Sequence, residues 1–447
     1  MAVGIPIVPD ASEAAEDHKP YGSPAYSWYV VGVLTLIYTC HAIDRSLPNI
    51  LLEPIRAEFK LSDSQLGVFA GVAYGLAFSA VIMPMGYISD RVNRRTFLAG
   101  VLLLWSLLTA LSGFSKNYVM LLAARVGVGA AEAGAAPLSI PMLSDIFPQD
   151  RRAFALGLFY ASAPIGAFLA SALGGYVAAE YGWREAFWVA GIPGVILAVL
   201  LLTTIREPRR GGAEAKGVKQ NKSPVKIKEA VAHVLNTRGL LSLMGGCALI
   251  GLLNITVSAW GSSFFMRVHH LGLKEIGLLI GVGVGLCSTV SPPVAGWLAD
   301  KLSRRDVRWP LRIVWIAALA AFVLTAIMLF TGNVWLSVAC FILADMARVS
   351  YTAPTYSVLM AHTEPRMRGT VMSMLQLVTS LIGFGLGPLM TGMLSDRLGG
   401  GTSIRYALFV VSFLFIIGAI LLMMSSRGLY GGRKGVAART AGLAEQS

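Results

Sequence analysis

Twelve separate stretches of this chain stay apolar for about twenty residues at a time. That is the length of a helix crossing the hydrocarbon of a bilayer, where each segment must pair its own backbone N–H and C=O groups. The stretches lie near 28–50, 65–88, 96–115, 118–143, 153–179 and 185–205, then near 239–266, 275–299, 309–331, 334–360, 368–395 and 404–425. A closed membrane barrel would show short alternating segments instead. Of the 447 residues, 55% are apolar and only 14% charged, and the mean hydropathy is +0.66. Water-soluble domains carry about 25% charged residues, and disordered chains are poorly hydrophobic, so both classes are excluded. The 48 glycines suit close helix packing in lipid. The expected fold class is an all-α membrane protein with twelve transmembrane helices in two six-helix halves.

The division into halves comes from one polar interruption. Residues 206–238 hold nine Lys/Arg and three Glu among Gly, Pro, Ser and Asn, and read as a cytoplasmic linker. Ser223 to Leu235 can form an amphipathic helix lying on the membrane surface. The halves are then 26–205 and 239–425, flanked by tails at 1–25 and 426–447. The first tail is expected to be flexible. Its acids Asp10, Glu13, Glu16 and Asp17 against Lys19 alone do not suit a signal peptide.

Net charge is +13. In a soluble protein that would suggest nucleic acid, but here the basic residues obey topology and no nucleic-acid partner is expected. With the N-terminus inside, 26 of the 37 Lys/Arg fall in cytoplasmic loops and tails, and eight outside. The outside eight are Arg56, Lys60, Lys116, Arg184, Arg267, Lys274, Arg397 and Arg405. The bias places both termini in the cytoplasm.

The halves repeat. GYISDRVNRR at 86–95 returns as GWLADKLSRR at 296–305, and RRAFALG at 151–157 as RMRGTVM at 366–372, offsets of 210 and about 216 residues. Two six-span halves with a site between them at mid-membrane are a transporter signature. The pattern Gly-x-x-x-Asp-Arg-x-x-Arg-Arg resembles the loop motif of the major facilitator superfamily. That resemblance covers about residues 26–425 and implies the major facilitator fold, with a motif that holds the cytoplasmic side shut in one state and frees it in the other. In it, Gly86 allows close helix approach and Asp90 meets the positive start of a neighbouring helix. Arg91, Arg94 and Arg95 bind carboxylates or carbonyls on neighbouring helix ends. Gly296, Asp300, Lys301, Arg304 and Arg305 are the second copy.

Other patterns carry no chemistry. GVGAAE at 127–132 lies inside an apolar span with no strand before it, and GVGVG at 281–285 lacks the lysine of a phosphate loop. Both read as packing glycines. Cys40, Cys247, Cys287 and Cys340 sit in apolar runs without metal spacing. His269 and His270 in an outer loop make a weak metal pair. No metal, cofactor or ATP-binding module is expected, so uphill transport must draw on an ion gradient or a second solute.

Ionisable groups inside spans are costly and functional by default. The first span holds His41, Asp44 and Arg45, the fourth Arg125 and Glu132, and the tenth Asp345 and Arg348. Arg125 and Glu132 share a helix face, and Asp345 and Arg348 are adjacent on theirs. The repeat offset sets Arg348 opposite Glu132, so an acid in one half is expected to face a base in the other. Burial favours the neutral form of a carboxyl and a nearby guanidinium the charged form. Glu132 therefore reads as a proton site, or else as one member of an ion pair with Arg45 or Arg125. His41 reads as a proton relay or as a satisfied polar residue.

Asp44-Arg45 in the first span and Glu132 in the fourth, with SDSQLG at 62–67 and GYISDR, resemble the spinster family of lipid transporters. The resemblance implies a bacterial homologue in the inner membrane. Vertebrate members are known for exporting phosphorylated sphingoid lipids or lysophospholipids. The expected function is a secondary transporter working by alternating access, proton-coupled, for a lysolipid- or sphingolipid-like amphipath. The expected partners are that substrate, protons and membrane lipids, with the protein a monomer. A carrier or exporter of a small organic anion or drug is the alternative. A receptor lacks any use for a duplicated gating motif, and an enzyme is not expected because no nucleophile–base pair is present.

Overall fold

The computed structural model describes residues 23–89, 91–210, 227–364 and 367–430. Twelve of its helices are long and apolar enough to cross a membrane. They are Pro24–Phe59, Asp63–Ser89, Arg94–Ser112, Tyr118–Ile146, Phe154–Glu180 and Trp183–Thr204 before the linker. After it come Leu240–His269, Leu273–Ser303, Trp309–Phe330, Val334–Ala361, Arg368–Arg397 and Gly401–Tyr430. These are spans one to twelve; the ends beside the linker form the linker face, the opposite ends the far face.

Local chemistry sets the boundaries. Ser23, Asn93, Asn117 and Asn333 accept hydrogen bonds from the first-turn N–H groups of spans one, three, four and ten. Span one ends at Lys60 in the left-handed region, φ 52°, and span six begins after Gly182, φ 118°, a turn that costs glycine no Cβ clash. Span one is longer than its apolar run, 36 residues rather than 28–50. It continues through Pro48 and Pro54 because Leu47, Pro48, Leu51, Leu52 and Ile55 are buried there. At 1.5 Å per residue it reaches about 54 Å, so its last turns carry Glu53 and Arg56 to the far face.

The internal repeat is built into the backbone. Spans two and eight each contain a π-helical turn, at Val68–Val72 and Gly281–Cys287, a distortion common at functional sites. Span four breaks just after Glu132 and span ten just after Val349.

The packing differs between faces. At the far face one apolar core spans both halves, with Leu51, Phe69 and Phe187 from the first and Trp260, Phe264 and Phe341 from the second. Toward the linker face each half has its own core, around Trp105 and Phe159 in one and Leu243 and Leu359 in the other. Span two meets span eleven backbone to backbone: a Cβ on Gly67 would stand 2.6 Å from the Pro388 carbonyl oxygen. The glycines of GVGAAE and GVGVG do pack, Gly129 against Tyr74 of span two and Gly285 against Phe168 of span five.

A linker helix forms at Ile227–Asn236; residues 223–226 of the expected amphipathic stretch lie outside the described residues. It packs on the second half rather than lying free on the membrane surface. Ala230 and Val234 join that half's core, and His233 Nε2 lies 3.1 Å from the His362 carbonyl oxygen. Small apolar side chains one turn apart give it a face narrow enough to dock between helix ends.

Candidate functional site

Four charged or titratable side chains of the first half meet in its interior. His41 and Asp44 come from span one, Arg125 and Glu132 from span four, and all are buried, Glu132 to 1% exposure. Glu132 Oε2 lies 3.3 Å from His41 Nδ1. The Arg125 guanidinium donates to the backbone carbonyl of Asp44 at 3.0 Å and stands 5.1 Å from the centre of the Tyr74 ring. Both carboxylate oxygens of Asp44 and both of Glu132 lack an aligned hydrogen-bond donor among the described residues. Two buried carboxylates, one guanidinium and one imidazole are thus left incompletely satisfied, a costly arrangement for groups without work to do.

Arg45 turns the other way. One residue after the buried Asp44, it is exposed, and its guanidinium lies 4.5 Å from the centre of the Phe384 ring on span eleven. It projects from the first half toward the second. Aromatic groups line the same region: Tyr38 stands edge-on to Tyr160 at 6.2 Å, and Gln376 donates to the Tyr356 hydroxyl at 3.3 Å.

The second half carries an internal ion pair, with Arg348 Nε and Nη1 left without an acceptor among the described residues. Arg348 donates to Asp345 at 2.6 Å, Ser288 of span eight donates to the other Asp345 oxygen, and Arg348 is 0% exposed. This corrects the expectation that Arg348 faces Glu132 across the pathway. The repeat offset is right about position along the helix, but Asp345 is one turn away and captures the guanidinium. Among the described residues Glu132 pairs with His41, not with Arg45 or Arg125.

The linker-face motif is partly as expected. Arg94 donates to Asp145 at 2.6 Å, and Arg95 to the Ile205 carbonyl at 3.0 Å, tying span three to the ends of spans four and six. Glu207 accepts from the backbone N–H groups of Arg94 and Arg95, at 2.8 and 2.7 Å. Arg91 does not reach a neighbour; its guanidinium lies over the Tyr87 ring at 3.4 Å. Gly86 makes no close approach, since a Cβ there would meet nothing within 4 Å. Asp90 lies outside the described residues. In the second copy, Gly296 has only an ordinary contact with Ala353 at 3.4 Å, and Lys301 stands 4.9 Å from the Trp297 ring centre. Asp300, Arg304 and Arg305 make no side-chain ion pair among the described residues.

Sequence reasoning missed a network at the far face. Arg267 of span seven forks onto Asp63 of span two at 2.9 and 2.8 Å and reaches Glu53 of span one at 2.9 Å. Asp396 of span eleven bonds the first turn of span two. Arg56 and Arg267 had read only as outer-loop charges; SDSQLG was the one visible signal. These bonds and the shared core join the two halves at the far face.

Two pseudo-equivalent six-span halves, joined at one face around buried charges, define an integral multi-pass membrane protein built as a carrier. The sequence profile described as Major Facilitator Superfamily matches residues 34–311, and that of the "MFS_1 like family" residues 260–442. The chain belongs to the Major Facilitator Superfamily, and within it resembles the spinster proteins. It is 29% identical to an MFS-type efflux pump of Mycolicibacterium smegmatis, over 92% of this chain and 95% of that protein. It is 24% identical to a sphingosine-1-phosphate transporter of Xenopus tropicalis, over 93% of this chain and 84% of that one. A crystal structure of a bacterial homologue of the human lysosomal transporter spinster, inward-facing and unoccupied, superposes with a TM-score of 0.85. That pair is 26% identical and covers 93% of this chain and 100% of the other.

Proposed function

We propose that this transporter works by alternating access as a proton-coupled carrier of an anionic, lysolipid- or sphingolipid-like amphipath across the bacterial inner membrane. The observation that carries this reading is Arg45: an exposed guanidinium in mid-span, set against Phe384 and aromatic walls, beside a buried and under-bonded acid cluster. A planar guanidinium suits a phosphate, and aromatic surfaces suit an acyl tail. In this reading the linker face is cytoplasmic, in keeping with the Lys/Arg bias, and the arrangement described is inward-facing. Glu132 takes up a proton with His41 as its neighbour, and Asp44 and Arg125 balance charge as it does so. Substrate on Arg45 and the proton on Glu132 then bias the same rearrangement of span one against span four.

The test is a binding titration of a phosphate-headed lysolipid and an uncharged analogue of equal tail length. Arg45→Lys is expected to weaken the first by about tenfold, the loss of one charge-assisted hydrogen bond, and leave the second nearly unchanged. Equal loss for both removes the head-group role. A hydrophobic drug forms a third arm, because the Mycolicibacterium relative is named an efflux pump; drug binding that ignores Arg45→Lys while neither lipid binds favours that second reading.

A further inference from the structure

The sequence GYISDR at 86–91, which runs past the end of span two at Ser89, has an echo at the end of span eleven, GMLSDR at 392–397. Gly, Ser, Asp and Arg keep their places. The two spans run antiparallel and lie against each other through Gly67, Gly71 and Gly75 on one and Phe384 and Pro388 on the other. Each helix therefore finishes in the same pattern, one at the linker face and one at the far face, beside the other's beginning. Nested three-span repeats of opposite topology account for such a relation.

The far-face copy is fully engaged. A Cβ on Gly392 would run into the carbonyl oxygen of Asp63. Ser395 donates to the Asp63 carboxylate at 2.6 Å. Asp396 accepts from the backbone N–H groups of Asp63 and Ser64, at 2.9 and 2.8 Å, and from the Ser64 hydroxyl at 2.5 Å. A carboxylate from one half thus satisfies the orphan first-turn donors of a long helix in the other and meets its positive end. Arg267 holds Asp63 from the far side of the contact. At the linker face the corresponding places are open: a Cβ on Gly86, or on Gly369 at the start of span eleven, would meet nothing within 4 Å. The other antiparallel contact, span five on span eight, has no such copy. Span five ends in GYVAAEYG at 175–182, and the pair is joined at this face by the surface ion pair of Glu180 with Lys274, the kind that contributes little.

We propose that Gly392, Ser395 and Asp396 are a far-face clasp, the counterpart of the linker-face motif, and that transport requires it to release the first turn of span two. Asp396 is its positioning residue: it acts on the equilibrium between states, not on substrate. The proposal rests on the alternating-access reading above.

The experiment measures distances between spin labels in lipid nanodiscs. One pair spans the halves at the far face, at Val119 and Trp335, both 72% exposed; the other spans them at the linker face, at Phe154 and Leu241. Asp396→Ala is expected to lower the ratio of far-closed to far-open molecules about fivefold, the scale of a lost cap. The far pair lengthens while the linker pair shortens. Ser395→Ala, which leaves the cap in place, shifts both in the same sense by less and serves if Asp396→Ala is not recovered folded. Variants that melt earlier but keep wild-type distances at both faces make Asp396 a local cap only and overturn the clasp. A wild-type protein with one unchanging distance at each face, across pH and added lysolipid, overturns alternating access itself and the clasp with it.

Discussion

Span four and span ten occupy equivalent places in the two halves and both break into a turn near mid-membrane, yet their buried charges keep different company. In span ten, Asp345 is answered on both oxygens, by Arg348 one turn along and by Ser288 from span eight. In span four, the one ion-pair partner of Glu132 among the described residues is His41 at 3.3 Å, and neither Glu132 nor Asp44 has an aligned donor for its carboxylate among them. A buried carboxylate bonded on both oxygens is costly to strip of its partner, although Arg348 Nε and Nη1 lack an acceptor among the described residues. Carboxylates without aligned donors are the groups that gain most from a new partner, and here they lie next to the exposed Arg45. The comparison teaches that the repeat supplied two similar scaffolds, of which one holds its acid by bonds from within its own half and the other leaves two acids short of aligned donors.

The largest break in that comparison is expected from Glu132→Gln. Proton-driven accumulation in proteoliposomes should disappear while exchange of labelled substrate persists. A variant that still concentrates substrate on a pH gradient as wild type does would end the proton role. The opposite half should answer with stability rather than coupling. Arg348→Ala leaves Asp345 buried and unpaired and should cost about 3–5 kcal/mol, read as a lowered melting temperature in detergent. Replacing both Asp345 and Arg348 by leucine should recover most of that loss and leave proton coupling intact; coupling lost in the double variant would put the second half in the proton path.

The smallest effect is expected from His41→Gln. An imidazole beside a carboxylate is the one ordinary side chain that changes charge at about pH 5–8. His41 Nδ1 stands 3.3 Å from Glu132 Oε2, which makes the imidazole the group in contact with the proposed proton site. With glutamine in its place, the pH dependence of transport should change, without loss of maximal rate. A transport-versus-pH curve that superposes on wild type would make His41 a packing residue.

Much of the fold was legible because lipid leaves a chain few options. Twenty apolar residues in a row must form a helix, and twelve such runs with one polar gap give two halves. The end of span one was misjudged because LLEPIRAEF carries charges and a proline; the burial of Leu51, Leu52 and Ile55 and the far-face contacts of Glu53 and Arg56 show why that stretch stays helical. Among site residues, His41, Asp44, Arg125 and Glu132 stood out as charges inside apolar runs. The partner of Arg348 was misassigned because a repeat offset gives height in the membrane, not direction around the helix. The clasp was missed because its bonds join residues 332 and 333 positions apart. GMLSDR was readable as an echo of GYISDR only by comparing helix ends of opposite polarity.

The sequence by itself determined that this chain crosses a membrane twelve times, that its halves repeat, and which charges lie within the spans. Those are properties of segments, set by the transfer free energy of each stretch into lipid. The tertiary structure alone decided which charges meet, that Arg45 looks out while Asp44 looks in, and that the far face is the closed one. Those depend on helix rotation and on the packing of glycine against backbone across the halves, where a single carboxylate capping a distant helix can hold one arrangement over another.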